Sequence, residues 1–235
     1  MENKKKVYRY EIKMIVNNIN YNNFLSSLKL KLYNFSEVYN SRKISNIYFD
    51  SKKLDSFYQN KGGLLEKEKI RIRWYDISSN NSLKPHLEFK IKTGQLGYKV
   101  RYKIKKINFH NSINKSDLLT LIDEINMPLR KKNKVKKMIP YFVNTYNRKY
   151  FLSKDNKIRM TIDSSLCYYN IKNLSCPLRK RGLIVVEFKF DENNYNAFID
   201  IANKLPYRYS TFSKFVLGIE SIYLKNSNFN RDVKI

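Results

Sequence analysis

The feature that most constrains this chain is a strand pattern whose polar face is charged almost throughout. In LEFKIK, residues 87–92, Leu87, Phe89 and Ile91 alternate with Glu88, Lys90 and Lys92. Strand side chains alternate with period two, so the two sets lie on opposite faces. The pattern recurs along the chain. Glu11 and Lys13 share a face in EIK, Arg71 and Arg73 in IRIRWY, and Arg159, Thr161 and Asp163 in IRMTID. Glu187 and Lys189 do so in VVEFKF, and Lys99, Arg101, Lys103 and Lys105 in YKVRYKIK, opposite Tyr98, Val100, Tyr102 and Ile104. One such strand is easily the wet face of an open sheet. Several are not, because rows of like charge on adjacent strands repel. Closure into a barrel resolves this, with apolar faces outward under helices and charged faces inward around a bound anion.

The charge balance agrees. The 235 residues carry a formal net charge of +27 with 42% hydrophobic residues, enough for a sizeable core. Part of the excess is a Lys-, Asn-, Ile- and Tyr-rich bias of the kind AT-rich coding sequence produces, but bias does not place the charges. An extreme basic balance implies an anionic partner. Carboxylates on the same faces would repel the phosphates of a nucleic acid, so none is expected as ligand. They suit a divalent metal that bridges phosphate oxygens to the protein. A GxxxxGK[ST] phosphate loop is absent, and Gly94 and Gly97 read as hairpin residues. Any nucleotide must therefore be gripped by side chains.

Strand runs are expected at 7–16, 44–50, 69–77, 86–93, 97–107, 146–153, 157–169 and 183–190. Helices are expected at 21–32, after Ser116 as N-cap, at 194–205, and from about Thr211 through Ile222. The cationic run RKKNKVKK, 130–137, reads as a solvated loop or helix face, or as a patch for a polyanion or an acidic membrane. No linker divides the chain, so 1–235 is expected to be one α+β domain. It would be an antiparallel barrel of about eight strands with a charged lumen, flanked by helices, with a frayed tail from 226. The charged start, MENKKKVYRYEIK, is not a secretory leader, and no apolar run approaches the ~20 residues of a membrane span. A cytoplasmic protein is expected, with Cys167 and Cys176 as reduced thiols. His86 and His110 are isolated and assigned to the surface or to loops.

The order RYEIK, ISNIYFDS, KIRIRWY, LEFKIKTG, YNRKYF, IRMTID, VVEFKF and FSKFVLGI, from about residue 8 to 222, resembles the VTC (vacuolar transporter chaperone) catalytic domain. That is the polyphosphate polymerase type of triphosphate-tunnel metalloenzyme. The resemblance implies a barrel tunnel, ATP and inorganic polyphosphate or pyrophosphate as substrates, and Mn²⁺ or Mg²⁺ as cofactor. It assigns phosphate-binding roles to Lys13, Arg71, Arg73, Lys90, Arg148, Arg159, Lys189 and Lys214. Glu187 matches the metal-holding glutamate, and Glu11 and Glu88 join it as metal candidates. Tyr146 falls where the family places an aromatic beside the base, and Lys99, Arg101 and Lys103 are further substrate-binding candidates. The hydrolase and cyclase branch has Glu-x-Glu-x-Lys in the first strand. Here the motif reads Arg9-Tyr10-Glu11-Ile12-Lys13, which favours a polymerase over a triphosphate hydrolase. A non-catalytic polyphosphate-binding module, docking on a membrane-bound partner and oligomeric state stay open.

Overall fold

All eight runs form strands, and the strands close on one another. The computed structural model describes residues 9–17, 21–31, 35–76, 85–94, 96–105 and 113–224. Its strands are β1 (Arg9–Val16), β2 (Phe35–Asp50), β3 (Glu66–Asp76), β4 (His86–Thr93), β5 (Leu96–Lys103), β6 (Ile139–Ser153), β7 (Arg159–Asn170), β8 (Asn173–Lys180), β9 (Ile184–Phe190) and β10 (Tyr209–Ser210). Its α-helices are α1 (Tyr21–Lys31), α2 (Asp55–Lys61), α3 (Lys115–Asp123), α4 (Leu129–Lys136), α5 (Tyr195–Ala202) and α6 (Lys214–Ile219). Hydrogen bonding runs β1–β5–β4–β3–β2–β6–β7–β9 and returns to β1, an antiparallel ring of eight strands. β8 extends β7 outside the ring, and β10 pairs with β1.

The ring is uneven. β1 and β9 share seven paired positions, but β1 and β5 share only Arg9↔Gly97 and Tyr10↔Leu96. β5 therefore departs from its neighbour, and Lys99, Arg101 and Lys103 are exposed.

Apolar faces point outward beneath helices, as the alternation requires. Met14, Ile162, Val186 and Phe188 pack with Phe24 of α1 and Phe198 of α5. Ile47, Ile70, Ile72, Leu87 and Phe89 pack with Leu118 and Ile122 of α3 and Val135 of α4. The interior is not charged throughout, however. Ile44, Tyr48, Phe142, Tyr146, Leu166 and Tyr168 form a third buried cluster with Phe215 and Ile219 of α6. The last helix thus packs against inward-facing residues of the ring.

Several local expectations shift. α2 was not anticipated: its seven residues, DSFYQNK, carry little periodicity. It starts because the fully buried Asp50 carboxylate accepts from the backbone N–H groups of Ser51, Ser56 and Phe57 at 2.8–2.9 Å, which satisfies donors the first turn leaves free. The 130–137 run is the helix face of α4. The N-cap of α3 is Asn114 rather than Ser116, and the last helix starts at Lys214 behind Ser213, whose Oγ accepts from the Val216 N–H at 3.2 Å. His86 is not a loop residue. It opens β4 on the Glu88 face, half-buried and opposite Arg73 and Lys103. His110, Leu32 and the tail lie outside the described residues. Cys167 and Cys176 are both free thiols.

Gly218 tests the seat of α6. A Cβ there would meet the ring of Phe142 at 2.3 Å, and that ring is stacked against Tyr48 at 5.2 Å between centroids. Neither can retreat in a close-packed core. Gly218→Ala is expected to destabilise the protein by about 1–3 kcal/mol, read as a lowered urea midpoint. Wild-type stability would show that α6 is loosely seated.

Candidate functional site

Strand register sets the inner wall. β3 contributes Lys69, Arg71 and Arg73, β4 Glu88 and Lys90, and β5 Lys99 and Arg101, with Arg71↔Glu88↔Arg101 and Lys69↔Lys90↔Lys99 directly opposed. Across the ring, β1 brings Glu11 and Lys13 beside Lys189 and Glu187 of β9, and β9 in turn pairs with Arg159 and Thr161 of β7. Arg148 of β6 lies opposite Asp163 of β7. The expected residues carried by strands thus share the inner face of one ring, and Lys214 reaches that face from the start of α6.

Two buried carboxylates organise the arginines. Glu88, 1% exposed, accepts from Arg71 Nε at 3.0 Å and Nη2 at 2.7 Å, and from Arg101 Nε at 2.6 Å; Arg73 Nη1 lies 3.9 Å away. Burial alone would raise its pKa, but Arg71, Arg73 and Arg101 hold the carboxyl well below the usual range. Asp163 is fully buried and accepts a bidentate grip from Arg148 Nε and Nη2 at 2.6 and 2.7 Å, plus Lys214 Nζ at 2.6 Å. Burial opposes its ionisation too, and Arg148 and Lys214 overcome it. Such forked, charge-assisted bonds fix guanidinium orientation as well as charge.

The remaining arginine contacts tie in polar side chains. Arg73 donates to Asn46 Oδ1 at 2.7 Å and Tyr146 Oη at 2.9 Å, and Arg71 donates to Tyr48 Oη at 3.1 Å. Tyr146 is 2% exposed, with Lys214 Nζ 4.8 Å and the Arg148 guanidinium 5.3 Å from its ring centre. As placed, its ring is covered by cations rather than open to a base.

Glu11 and Glu187 sit differently from Glu88. Glu11 is paired with Lys90, and Glu187 with Lys189 at 2.9 Å. Burial raises the Glu11 carboxyl, but Lys90 and Lys189 bring it down to about 2. Glu187 is likewise held low by Lys189, Lys90, Lys13 and Arg148 against its burial. Both are therefore hard anionic oxygen donors, the type that Mg²⁺ or Mn²⁺ takes. Among the described residues no three acidic, histidine or cysteine side chains gather as a metal site. These two glutamates would supply part of an oxygen shell, which phosphate oxygens would complete. Glu88 fits that role least of the three expected ligands, because guanidiniums occupy both of its oxygens.

Four lysines are pushed the other way, Lys92 among them through burial. Burial lowers Lys13 to about 8, with Lys90 and Lys214 adding repulsion and Glu187 and Glu11 opposing it. Lys99 is brought to about 7 by desolvation and by the neighbouring Arg101 charge. Lys69 is also lowered by burial and by Lys13 and Lys90; its Nζ donates to Ser213 Oγ at 2.9 Å. Lys69 and Asp163 were not among the expected site residues. The signal for Lys69 is the K-x-R-x-R spacing in KIRIRWY, and for Asp163 its place two residues after Thr161. Arg159 and Lys103 belong to the inner faces but are exposed at the periphery. Among the described residues the buried Thr161 Oγ1 has no hydrogen-bond partner.

The Glu11 shift makes a stability prediction. Its folded pKa lies below the unfolded value, so its contribution is present above about pH 4.3 and lost as pH falls toward 2. Glu11→Gln is expected to cost on the order of 2 kcal/mol at pH 7, and the gap to wild type should close between about pH 4.5 and 2. Urea unfolding at a series of pH values measures both curves. A gap that widens on acidification contradicts the assignment.

The VTC domain family model matches residues 8–223. No curated protein matches the chain. Among solved structures, Hippeastrum HpAC1, reported with a dominant triphosphatase activity, is similar with a TM-score of 0.54 and 16% identity, over 90% of this chain and 96% of that one. PH1819 from Pyrococcus horikoshii OT3 gives 0.51 and 12% over 90% and 96%. A Vibrio parahaemolyticus protein with an adenylate cyclase assignment gives 0.51 and 12% over 88% and 97%. At these identities the likeness is one of fold.

Proposed function

The chain belongs to the VTC domain family, and from that premise we propose that it is a polyphosphate polymerase using ATP as phosphoryl donor. The observation that carries the reading is the inner wall itself. Arg71, Arg73 and Arg101 are held by Glu88 on one side, and Arg148 and Lys214 by Asp163 on the other. An oxygen of the growing chain's terminal phosphate attacks the γ-phosphorus of ATP. The new P–O–P bond forms as the bond between the γ-phosphorus and the β,γ-bridging oxygen breaks, and ADP leaves. Phosphoryl transfer asks mainly for alignment and charge neutralisation, and oriented guanidiniums supply both. Lys13, Lys90 and Lys189 add adaptable charges. A divalent ion at Glu11 and Glu187, when bound, would neutralise phosphate oxygens further.

The second reading is a triphosphate hydrolase, the activity reported for the Hippeastrum protein that shares the fold. Against it stands the first strand. The position of the hydrolase branch's first glutamate is Arg9, which is ion-paired with Asp191 at 3.5 Å. An arginine there, paired with its own carboxylate, cannot serve as the further metal ligand that the hydrolase branch has.

Phosphorus NMR of the protein with ATP and Mn²⁺, with and without a short phosphate primer, tests the reading. Growth of the internal-phosphate signal with release of ADP is expected. Arg73→Ala and Glu187→Gln should each reduce it at least ~100-fold, with folding checked by circular dichroism. Orthophosphate without polymer would replace the reading by the hydrolase. Full polymer growth in both variants would remove these residues from the site.

Lys13 adds a pH dependence. Lowered by burial to about 8 in the unliganded fold, it is mostly protonated at pH 7 and loses its charge above pH 8. A bound polyanion favours the protonated form. Tripolyphosphate binding is therefore expected to take up protons at pH 8, read as a dependence of the calorimetric enthalpy on buffer ionisation heat. Lys13→Arg should reduce that uptake.

A further inference from the structure

A cavity of about 480 Å³ opens where β7 exchanges one neighbour for another, and no charged residue of the inner wall lines it. β7 pairs with β9 from Arg159 to Asp163 and with β8 from Leu166 onward. Between them Ser165 takes up the left-handed conformation, φ 54°, where β7 bulges against β6. A serine there carries backbone strain that a glycine would not. The fork between β8 and β9 is closed by the turn at Arg181–Gly182. The lining straddles the wall of the ring: Ile184 and Tyr21 belong to the outward cluster beneath α1 and α5, and Leu166 and Leu183 to the apolar cluster packed on α6.

Its chemistry is one-sided. Arg179, Lys180 and Arg181 follow one another along its edge, Ser164 and Ser165 bring hydroxyls, and no acidic residue lines it. Elsewhere cations of this chain find carboxylates: Arg71 and Arg101 on Glu88, Arg148 and Lys214 on Asp163, and Lys134 on Glu68. Among the described residues the side chains of Arg179 and Arg181 have no ion-pair or hydrogen-bond partner. Arg179 and Arg181, two residues apart and uncommitted, are groups that bind a phosphoryl oxygen pair in a forked manner, and the serine hydroxyls add donors. Leu166, Leu183 and the Tyr21 ring add an apolar floor, and the volume lies in the range of small-molecule sites.

We propose that this fork is a second anion site, distinct from the charged inner wall, that takes a phosphoryl-bearing ligand on Arg179, Arg181 and Ser165. The same chemistry has two sources: a free small phosphorylated molecule, or a polyphosphate chain that has left the ring and folds back along its outer wall. Either way the fork adds affinity for phosphate without taking part in phosphoryl transfer.

The test uses direct binding, so it is independent of whether the protein polymerises or hydrolyses. Tripolyphosphate and a long polyphosphate are titrated calorimetrically into three full-length proteins: wild type, Arg179→Ser with Arg181→Ser, and a charge-matched control, Lys52→Ser with Lys53→Ser. The control removes two exposed lysines remote from the fork in sequence. If the source is a free small anion, wild type binds tripolyphosphate in two events, and the arginine variant loses one or weakens it by about tenfold or more. If the source is the chain itself, tripolyphosphate binding is unchanged, and affinity for the long polymer falls about tenfold through lost multivalency. Either result in the arginine variant but not in the control supports the site. Equal binding of both ligands by wild type and arginine variant overturns it, as does an equal loss in the control.

Discussion

Glu88 and Asp163 are the anions on which the rest of the inner wall depends. Closing the ring sets Arg71, Arg73 and Arg101 on one wall, and Arg148 and Lys214 on another, at separations where like charges repel strongly in a poorly solvated interior. Each group is gathered on one buried carboxylate. A buried carboxylate without its guanidiniums would be as costly as the guanidiniums without it. The arrangement is therefore all or none, which explains why the side chains are preorganised rather than dispersed. The cations still outnumber the carboxylates. The residual positive charge is not a defect of the fold but a standing demand for a multivalent anion.

The same wall is bound to the end of the described chain. Lys13 donates to the Phe212 carbonyl at 2.9 Å, Lys69 to the cap residue Ser213, and Lys214 to Asp163. The segment that begins α6 is thus held by three lysines of the site, while Phe215 and Ile219 fill the apolar part of the interior. Hydrophobic burial seats the helix, and the lysines register its first turn against the charged half of the wall. A phosphate that drew Lys13 or Lys69 toward itself would compete with those contacts, so ligand binding and the position of this turn are energetically coupled through the same ammonium groups.

Most of the ring was legible because its signal is local. Period-two alternation needs only consecutive residues, and the charged faces read for β1, β3, β4, β5, β7 and β9 line up in register on the inner side of the ring, except Lys105, which lies past the end of β5. What was illegible depends on partners distant in sequence. α2 exists because Asp50 caps it, and DSFYQNK carries no such information. β8, NLSCPLRK, has no apolar alternation because it lies outside the ring and buries little. The apolar part of the interior escaped notice because Tyr48, Phe142 and Tyr146 occupy inward positions on strands whose outer faces are also apolar, so alternation gives no contrast there. Tyr146 shows the limit of a residue-by-residue resemblance: its position is consistent with the pattern, but burial under Arg148 and Lys214 follows from packing of α6, which the local motif does not encode.

The departure of β5 from β1 bears on what kind of anion the wall suits. A short triphosphate is satisfied by a compact, closed set of cations. Here the row Lys99, Arg101 and Lys103 continues the inner face of β5 past its last contact with β1 and remains exposed. Successive inward residues of a strand lie roughly 6.6 Å apart, so the row offers spaced charges along an extended polyanion instead of a cage around a small one. Arg101 is anchored on Glu88, which ties the exposed row to the buried arginines without a break. Lys99, with its depressed pKa, regains its proton most readily when a phosphate lies against it. On the proposed reading these features retain a growing chain between additions. A hydrolase, whose products must leave, gains nothing from them.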